Sequence, residues 1–439
     1  MKNKNIQEII KKLQNNDNNA IAHVFEHASL KNSGVLANTV FSIKDNYADK
    51  EVVCGASSKI LSNFKPAYKA TVIKLLEEAG ATCVARTNLD EFGMGGSGEY
   101  SAYGIIKNPL NKNYLVGGSS SGAAATFFTE LDFAIGSDTG DSVRKPASNI
   151  GKVGFKPSYG AISRYGLFAF ATSLDTVAFF THNVQMTALL SSVLYKQDLK
   201  HDLTSIDLSF KYDEIQKNKP QKVAYLDCFD KLSDATKKAY ENVINKLKAN
   251  NVELIKISID EKLFKSIDTI YKIIAFSEAA SNLANLTGIQ FGKRIEGENW
   301  RDSFIKTRSQ GLGKMVQSRL ILGSYFLKSE NQIKYFVKAK QMRRYLSNYF
   351  TKIHQQADCF IYPASNDSAP LINKKYQSSY MDYILTYANL VGNPSLTLKM
   401  GEDDNKMPFN LAIDTEIYTD KKLLNFALYF EELLGEKYE

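Results

Sequence analysis

Two serines in glycine-rich turns and one lysine at the end of an apolar run are the residues of this sequence best suited to chemistry. Ser119 lies in the segment LVGGSSSG, Ser142 lies in the segment GSDTGDSVRKP, and Lys44 ends the run FSIK. A serine hydroxyl is a poor nucleophile unless a neighbouring group accepts its proton. A lysine can accept that proton when burial lowers its pKa. Because no histidine lies near these segments in the sequence, the pattern predicts a hydrolase whose general base is an amine.

The segments around these residues resemble the amidase signature family, whose members hydrolyse amides with two serines and a lysine. The matching segments are SIKDN, TNLDEFGMGGSGEYSAYG (87–104), GGSSSG, GSDTGDSVRKPAS and VGFKPSYGAISRYGLFAFATSLD (153–175). The similarity is dense from about residue 40 to 185, and it returns around residues 268 to 394. One glycine-rich turn could match by chance, whereas five segments in the same order indicate a family relationship.

The resemblance assigns a role to each of the three residues. Ser142 takes the place of the nucleophile, and Lys44 takes the place of the base. Ser119 takes the place of the bridging serine, which relays a proton between them and follows a cis peptide bond after Gly118. The physical requirement is a neutral amine, and burial in an apolar strand is a suitable way to obtain one.

The turn that carries the nucleophile would also stabilise the negative oxygen of the tetrahedral intermediate. The backbone N–H groups of four residues would form this oxyanion hole: Thr139, Gly140, Asp141 and Ser142. Asp141 departs from the family pattern, which has glycine at this position. Its charge would oppose the developing oxyanion unless it points away or pairs with Arg144 or Lys145, so we expect an active but slower enzyme.

An amino-acid amide as substrate requires an arginine and a carboxylate in the binding site. By resemblance, Arg319 would bind the α-carboxylate of glutamine. Asp382 would bind its α-amine, although the local pattern there is shifted by about one residue. Tyr271 and the turn formed by Met94, Gly95 and Gly96 would complete the pocket.

The run ISRYGLFAFATSLD favours the branch of the family that supplies ammonia to tRNA-dependent amidotransferases. Membership of that branch implies that glutamine is hydrolysed and that a partner subunit uses the ammonia to amidate misacylated Glu-tRNA(Gln). It also implies a heterotrimer with two further subunits, the B and C subunits. ATP and magnesium would be bound by a partner subunit, and this chain would carry no metal or cofactor.

Two other functions remain open at this stage. One is a freestanding amidase that acts on another small amide. The other is a structural subunit with weakened catalysis, which only Asp141 supports. His23, Glu26 and His27 match the H-x-x-E-H pattern of some zinc peptidases, with both histidines on one helix face, but the other three histidines are isolated and argue against a metal site.

Alternating strand-like and helix-like segments predict an α/β fold, and the resemblance implies a mixed sheet of many strands covered by helices on both faces. We expect one domain over residues 1–439, with an N-terminal helix at about 1–20, a signature core at about 40–185 and an insertion-like region at about 195–265. Cys83 and Cys359 are expected to be buried thiols, and Trp300 to lie in the core or a subunit contact. The net charge of +8 is expected to be spread along the chain over a solvated surface. With no signal peptide recognised, the cytoplasm is the expected location.

Overall fold

A mixed sheet of eleven strands organises the computed structural model, which describes residues 4–127, 130–258, 260–374 and 378–435. The strands are β1 (Ile21–Val24), β2 (Val40–Lys44), β3 (Thr82–Thr87), β4 (Phe133–Asp138), β5 (Val153–Lys156), β6 (Thr176–Thr181), β7 (Lys222–Leu226), β8 (Glu253–Ile257), β9 (Cys359–Pro363), β10 (Ser395–Glu402) and β11 (Pro408–Asp414). Their spatial order is β1-β3-β2-β4-β6-β5-β10-β11-β9-β7-β8. The α/β fold expected from the sequence is confirmed.

Helices cover the sheet and connect its strands. The helices are α1 (Ile6–Gln14), α2 (Thr71–Glu78), α3 (Ser121–Thr126), α4 (Arg144–Asn149), α5 (Val184–Leu194), α6 (Asp234–Ala249), α7 (Glu261–Asn282), α8 (Trp300–Gly311), α9 (Lys314–Leu327), α10 (Ser329–Gln332), α11 (Lys338–Gln356), α12 (Tyr387–Val391) and α13 (Asp420–Leu434). A π-helical turn, Ile333–Val337, joins α10 to α11. No helix within the described residues is both long enough and apolar enough to cross a membrane.

The centre of the sheet is buried on both faces, which explains why its strands are almost continuously apolar. On β4, Phe133 and Ile135 point into one hydrophobic cluster, whereas Ala134 points into the other. On β4, the second face is closely packed and carries small residues. Gly136 is an example, because a Cβ there would lie 2.6 Å from a methyl group of Val143 and 2.7 Å from the hydroxyl of Ser120.

The register of two parallel strands fixes the position of the site. β2 pairs in parallel with β4, and Ile43 lies opposite Ile135. Since the carboxyl ends of parallel neighbours meet at one edge, Lys44 lies beside the last residues of β4. The turn that follows β4 carries Ser142.

Several local expectations need correction. The N-terminal helix covers only Ile6–Gln14, and β1 begins at Ile21. His23 lies on β1 and His27 lies after its end, so the two histidines do not share a helix. Cys359 is buried as expected, but Cys83 is only partly buried. Trp300 is 71% exposed, so it is not a core residue, and a subunit contact stays a prediction.

The insertion-like region at 195–265 contributes directly to the sheet. β7 and β8 form its far edge, where β7 pairs in parallel with β8 and with β9. α6 packs on these strands through Tyr240, Val243 and Leu247, which are buried. The division of the chain into domains stays a prediction.

Candidate active site

The amine of Lys44 lies in a fully buried position between the two glycine-rich turns. Its Nζ donates to Oγ of Ser119 at 2.8 Å and to Oγ of Ser137 at 2.9 Å. Asn46 Nδ2 also donates to Oγ of Ser137, at 3.0 Å. The Lys44 side chain is therefore held in one place by hydroxyl groups that carry no charge.

Burial lowers the pKa of the Lys44 amine to about 7, even though the carboxylates of Asp90, Asp138 and Asp175 act in the opposite direction. An ordinary lysine is almost fully protonated at neutral pH. In this position, a large fraction of the amine is neutral near pH 7. Lys44 can therefore accept a proton from a hydroxyl group, as a general base must.

The turn around Ser119 packs tightly against Asp90. The peptide bond between Gly118 and Ser119 is cis, as the resemblance implied. A Cβ on Gly118 would lie 2.0 Å from Oδ2 of Asp90, so only glycine fits there. The backbone N–H of Asp90 donates to the carbonyl of Ser119 at 3.2 Å.

The same carboxylate holds the neighbouring glycine-rich turn. Asp90 accepts three backbone hydrogen bonds, from Gly96 at 2.8 Å, Gly98 at 3.2 Å and Tyr100 at 2.9 Å. A Cβ on Gly95 would lie 2.1 Å from the carboxyl carbon of Asp90. Met94 is fully buried. Thus Gly95 has a packing reason for being glycine, independent of any contact with a substrate.

Ser142 lies in the turn after β4 and is 5% exposed. Its carbonyl accepts a hydrogen bond from the backbone N–H of Ser120 at 3.1 Å, which ties the two turns together. The Ser142 hydroxyl forms no hydrogen bond to any of the described residues. The structure thus joins Lys44 to Ser119 directly, and it brings Ser142 into the adjacent turn without a hydrogen bond between the two serine hydroxyls.

Buried ion pairing and hydrogen bonding fix the turn that carries Ser142. Asp138 and Arg144, both fully buried, form an ion pair of 2.9 Å. Arg144 also donates to the carbonyl of Gly140 at 2.9 Å, and Thr139 Oγ1 donates to Asp175 at 2.8 Å. In the described part of the chain, the backbone N–H groups of residues 139–142 have no acceptor. They are therefore free to bind a negatively charged oxygen.

Asp141 does not pair with either of the two neighbouring cations. Arg144 is engaged by Asp138 and by Oδ1 of Asn389, and Lys145 forms no ion pair with Asp141 within the described residues. Burial raises the pKa of the Asp141 carboxyl to about 7, although the charge of Lys145 opposes the rise. Near neutral pH this carboxyl is therefore partly protonated, and its negative charge is reduced.

Tyr271 and Arg319 lie close to the oxyanion turn. A Cβ on Gly140 would lie 3.1 Å from Cζ of Tyr271, so the ring covers the backbone of this turn. Burial raises the pKa of the Tyr271 hydroxyl, and the nearby Arg319 guanidinium opposes that rise. Arg319 extends over the ring of Phe276 at 5.0 Å and has no hydrogen bond or ion pair to the described residues. Its guanidinium is thus available to bind an anionic group.

Asp382 lies in a different setting from Arg319. Its Oδ2 accepts from the backbone N–H of Ser379 at 2.8 Å and from Oγ of Ser378 at 3.0 Å. It lines a polar cavity of about 290 Å³ together with Gly96 and Lys145. Gly117, beside the Ser119 turn, also lines the cavity, and one carboxylate oxygen of Asp382 already serves as a local cap.

Three residues of the site are not evident from the sequence. They are Ser137, which binds Lys44; Asp90, which contacts the turn at residues 96–100 and the turn of Ser119; and Asp175, which accepts a hydrogen bond from Thr139. Ser137 could have been found from the parallel pairing of β2 with β4, since that register brings it beside the end of β2. The other two depend on contacts between distant loops, which no local pattern reveals.

Comparisons with known proteins identify the family of the chain. A family model described as Amidase matches residues 5–424. The A subunit of the glutamyl-tRNA(Gln) amidotransferase of Mycoplasma genitalium is 38% identical over 418 residues, which cover 91% of this chain and 87% of that protein. The corresponding protein of Mycoplasma pneumoniae is 36% identical over 414 residues, with coverage of 91% and 86%.

A solved structure shows the same relationship in three dimensions. The crystal structure of the A subunit of the glutamyl-tRNA(Gln) amidotransferase from Thermotoga maritima superposes with a TM-score of 0.79 at 30% identity, covering 97% of this chain and 90% of that chain. The chain belongs to the amidase family. Within the family, the similar proteins named above are amidotransferase A subunits.

Proposed function

We propose that this chain is the glutamine-hydrolysing A subunit of a Glu-tRNA(Gln) amidotransferase. The observation that carries the proposal is the 2.8 Å hydrogen bond between the buried amine of Lys44 and the hydroxyl of Ser119. Ser142 lies in the turn next to that of Ser119. The relatives that match nine-tenths of the chain bear the name of this subunit. Together they support an amide-hydrolysing enzyme that works for tRNA amidation.

In the proposed reaction, Ser142 Oγ attacks the carbonyl carbon of the glutamine side chain. Its proton passes to Ser119, whose own proton passes to neutral Lys44. The carbonyl oxygen becomes negatively charged and accepts hydrogen bonds from the free N–H groups of residues 139–142. The carbon–nitrogen bond then breaks as the proton returns through Ser119 to the nitrogen, and ammonia leaves. A glutamyl ester of Ser142 remains.

Water completes the cycle by the same route in reverse. Lys44, acting through Ser119, takes a proton from the water molecule that attacks the ester. The bond between the acyl carbon and Ser142 Oγ breaks, and the serine recovers its proton. Glutamate is released, so one glutamine and one water give one glutamate and one ammonia.

Recognition of glutamine is assigned to the residues beside the oxyanion turn. Arg319 binds the α-carboxylate, because its guanidinium is free and half-buried. Tyr271 covers the turn next to it. Asp382 binds the α-ammonium with the carboxylate oxygen that does not cap Ser379.

The rest of the proposal concerns the assembly. The B and C subunits complete a heterotrimer, and the ammonia made here is used on Glu-tRNA(Gln) by a partner that binds ATP and magnesium. No such group is assigned to this chain. The reaction belongs in the cytoplasm, where charged tRNA is used.

Ammonia release from glutamine by the purified chain, with and without the B and C subunits, tests the proposal. The Ser142→Ala variant should abolish release, and the partners with Glu-tRNA(Gln) should stimulate it. Release that persists in Ser142→Ala would exclude this nucleophile. Release only from other small amides would indicate a freestanding amidase, and a complete lack of release in an intact heterotrimer would indicate a structural role.

A further inference from the structure

The net positive charge of the chain arises from residues 313–357. This segment contains nine of the 55 Lys and Arg residues but only one of the 47 Asp and Glu residues, Glu330. Its formal charge is therefore +8, and the remaining residues carry 46 charges of each sign. The expectation that the charge is spread along the chain is wrong.

Helix α11 and the π-helical turn before it display much of this charge on one face. Positions on this face follow one another at intervals of three or four residues, as expected for one side of a helix. The α11 basic face consists of Lys334, Lys338, Gln341, Tyr345, Asn348 and Lys352, with Lys340 and Arg344 beside them. All eight are exposed, whereas Leu346 and Phe350 on the opposite side are buried in the core.

Most cations of this face have no carboxylate partner. Lys334, Lys338, Arg344 and Lys352 form no ion pair in the part of the chain that the structure describes, and Lys340 forms a long one of 3.9 Å with Glu278. Unneutralised cations on one face produce a positive potential that extends into solvent. Arg343 contributes differently, since its Nε donates to the carbonyl of Leu390 at 2.7 Å.

We propose that the α11 basic face binds the phosphate backbone of RNA. Lysine and arginine neutralise phosphates, and asparagine and glutamine donate to phosphate and sugar oxygens. Tyr345, which is 57% exposed, can stack on an unpaired base. That the RNA is the tRNA handled by the assembly rests on the proposed function.

The composition of the face favours RNA over an acidic protein. The central part of a protein interface is rich in aromatic and aliphatic side chains and poor in lysine. The α11 basic face contains five cations and one tyrosine, and the exposed aliphatic side chains that adjoin it are Ile333 and Val337 at its N-terminal end. Its alternation of cations and amides fits a regular row of phosphates.

The test compares two triple variants of the full chain, which lose the same charge in different places. The first removes charge from the face: Lys334→Gln, Lys338→Gln and Arg344→Gln. The matched control removes it from exposed positions on α6: Lys237→Gln, Lys238→Gln and Lys248→Gln. Fluorescence anisotropy of a labelled tRNA(Gln) transcript is measured at several salt concentrations, with the chain alone and with the heterotrimer.

We expect the first variant to bind tRNA about tenfold more weakly. The plot of log affinity against log salt should become shallower, with the magnitude of its negative slope reduced by about 2 to 3. The control should stay within about twofold of the parent, and both variants should release ammonia from glutamine at the parental rate. Equal RNA affinity of the two variants, or no RNA binding by the parent chain, would overturn the proposal. So would weakened binding of either partner of the heterotrimer with unchanged RNA affinity, because the face would then contact protein.

The glutaminase assay separates this proposal from the proposed function. A parent chain that binds tRNA through the face but never hydrolyses glutamine would refute the glutaminase assignment alone. A chain that hydrolyses glutamine, and whose affinity for tRNA is unchanged by the charge removal, would refute the RNA-binding face alone.

Discussion

Within the described residues, the amine of Lys44 forms hydrogen bonds to three oxygen atoms, and all three belong to uncharged groups. They are the hydroxyls of Ser119 and Ser137 and, at 3.4 Å, the carbonyl of Ser137. A carboxylate in contact would stabilise the protonated amine and prevent it from acting as a base. At this scale, the site works by excluding a direct ion-pair partner from the lysine.

Asp141 should limit the rate at high pH. As pH rises through about 7, Lys44 loses its proton and becomes a competent base, while Asp141 ionises beside the oxyanion turn. The two effects oppose each other, so kcat/KM for glutamine should reach a maximum near pH 7 and then fall. In Asp141→Asn the fall should disappear and the rate should remain high above pH 7.

The measurement is kcat/KM for glutamine against pH for both proteins, with Asp141→Gly as a second variant. A glycine variant slower than the parent at pH 8 would show that Asp141 assists catalysis. Superimposable profiles for all three proteins would show that its charge does not reach the reacting oxygen.

At the scale of elements, a buried glutamate connects the glycine-rich turns to the helix that carries Arg319. Glu91 is 2% exposed, and its Oε2 accepts from the backbone N–H of Gly313 at 2.8 Å. Gly313 is the N-cap of α9 and has no side chain of its own to cap the helix. Ser58 Oγ donates to the other carboxyl oxygen. Glu91 therefore caps the start of α9 from a distant segment, by accepting from the N-cap N–H as the glutamate of a capping box does.

Loss of this cap should affect substrate binding more than chemistry. In Glu91→Ala the N-terminus of α9 loses its acceptor, and Arg319 should be held less firmly against the α-carboxylate. We expect KM for glutamine to rise about tenfold, with kcat changed by less than about threefold. The reason is that Arg319 would hold the α-carboxylate equally in the bound substrate and in the transition state. Steady-state kinetics measure both constants.

Glu91→Gln is the control, since an amide oxygen can still accept from Gly313. It should raise KM less than Glu91→Ala does. A drop in kcat with constant KM in the alanine variant would contradict the positioning role, and thermal unfolding of each variant would show whether α9 is still folded.

Local patterns identify the elements more reliably than the contacts between them. The strands around Phe133–Asp138 and Cys359–Pro363, and the helix Asp234–Ala249, follow from apolar runs and helical spacing in the sequence. The contact of Glu91 with Gly313 could not be predicted, because it joins segments more than 200 residues apart. Likewise, the sequence identifies Lys44 as a base, but finding its second anchor, Ser137, requires the strand register.

On the scale of the whole molecule, two buried lysines should make stability depend on pH. Lys156 lies in the core and donates to the carbonyls of Pro157 at 2.9 Å and Asn393 at 2.7 Å. Burial, assisted by the charge of Arg144, lowers the pKa of Lys156 to about 7, as burial does for Lys44. Above pH 7 the unfolded chain therefore holds protons on both lysines that the folded chain does not hold.

Because the unfolded state binds more protons, the free energy of unfolding should rise with pH, most clearly between about pH 7.5 and 8.5. Lys156→Met should lower this slope by as much as about 1.4 kcal/mol per pH unit. Denaturant unfolding at several pH values measures the slope, with the exposed Lys237→Met as control. An unchanged slope in Lys156→Met would show that Lys156 stays charged in the fold.

The buried Arg144 also determines when the site can exist during synthesis. Its guanidinium donates to Leu385, Asn389 and Ser395, which follow it in the chain by 241 to 251 residues. A ribosome makes the nucleophile turn together with Asp138 and Asp175, which contact it locally, long before these three later partners of Arg144. The full set of contacts around Arg144 thus cannot form early on a nascent chain. We expect the capacity to consume glutamine to arise only when the sheet is nearly complete.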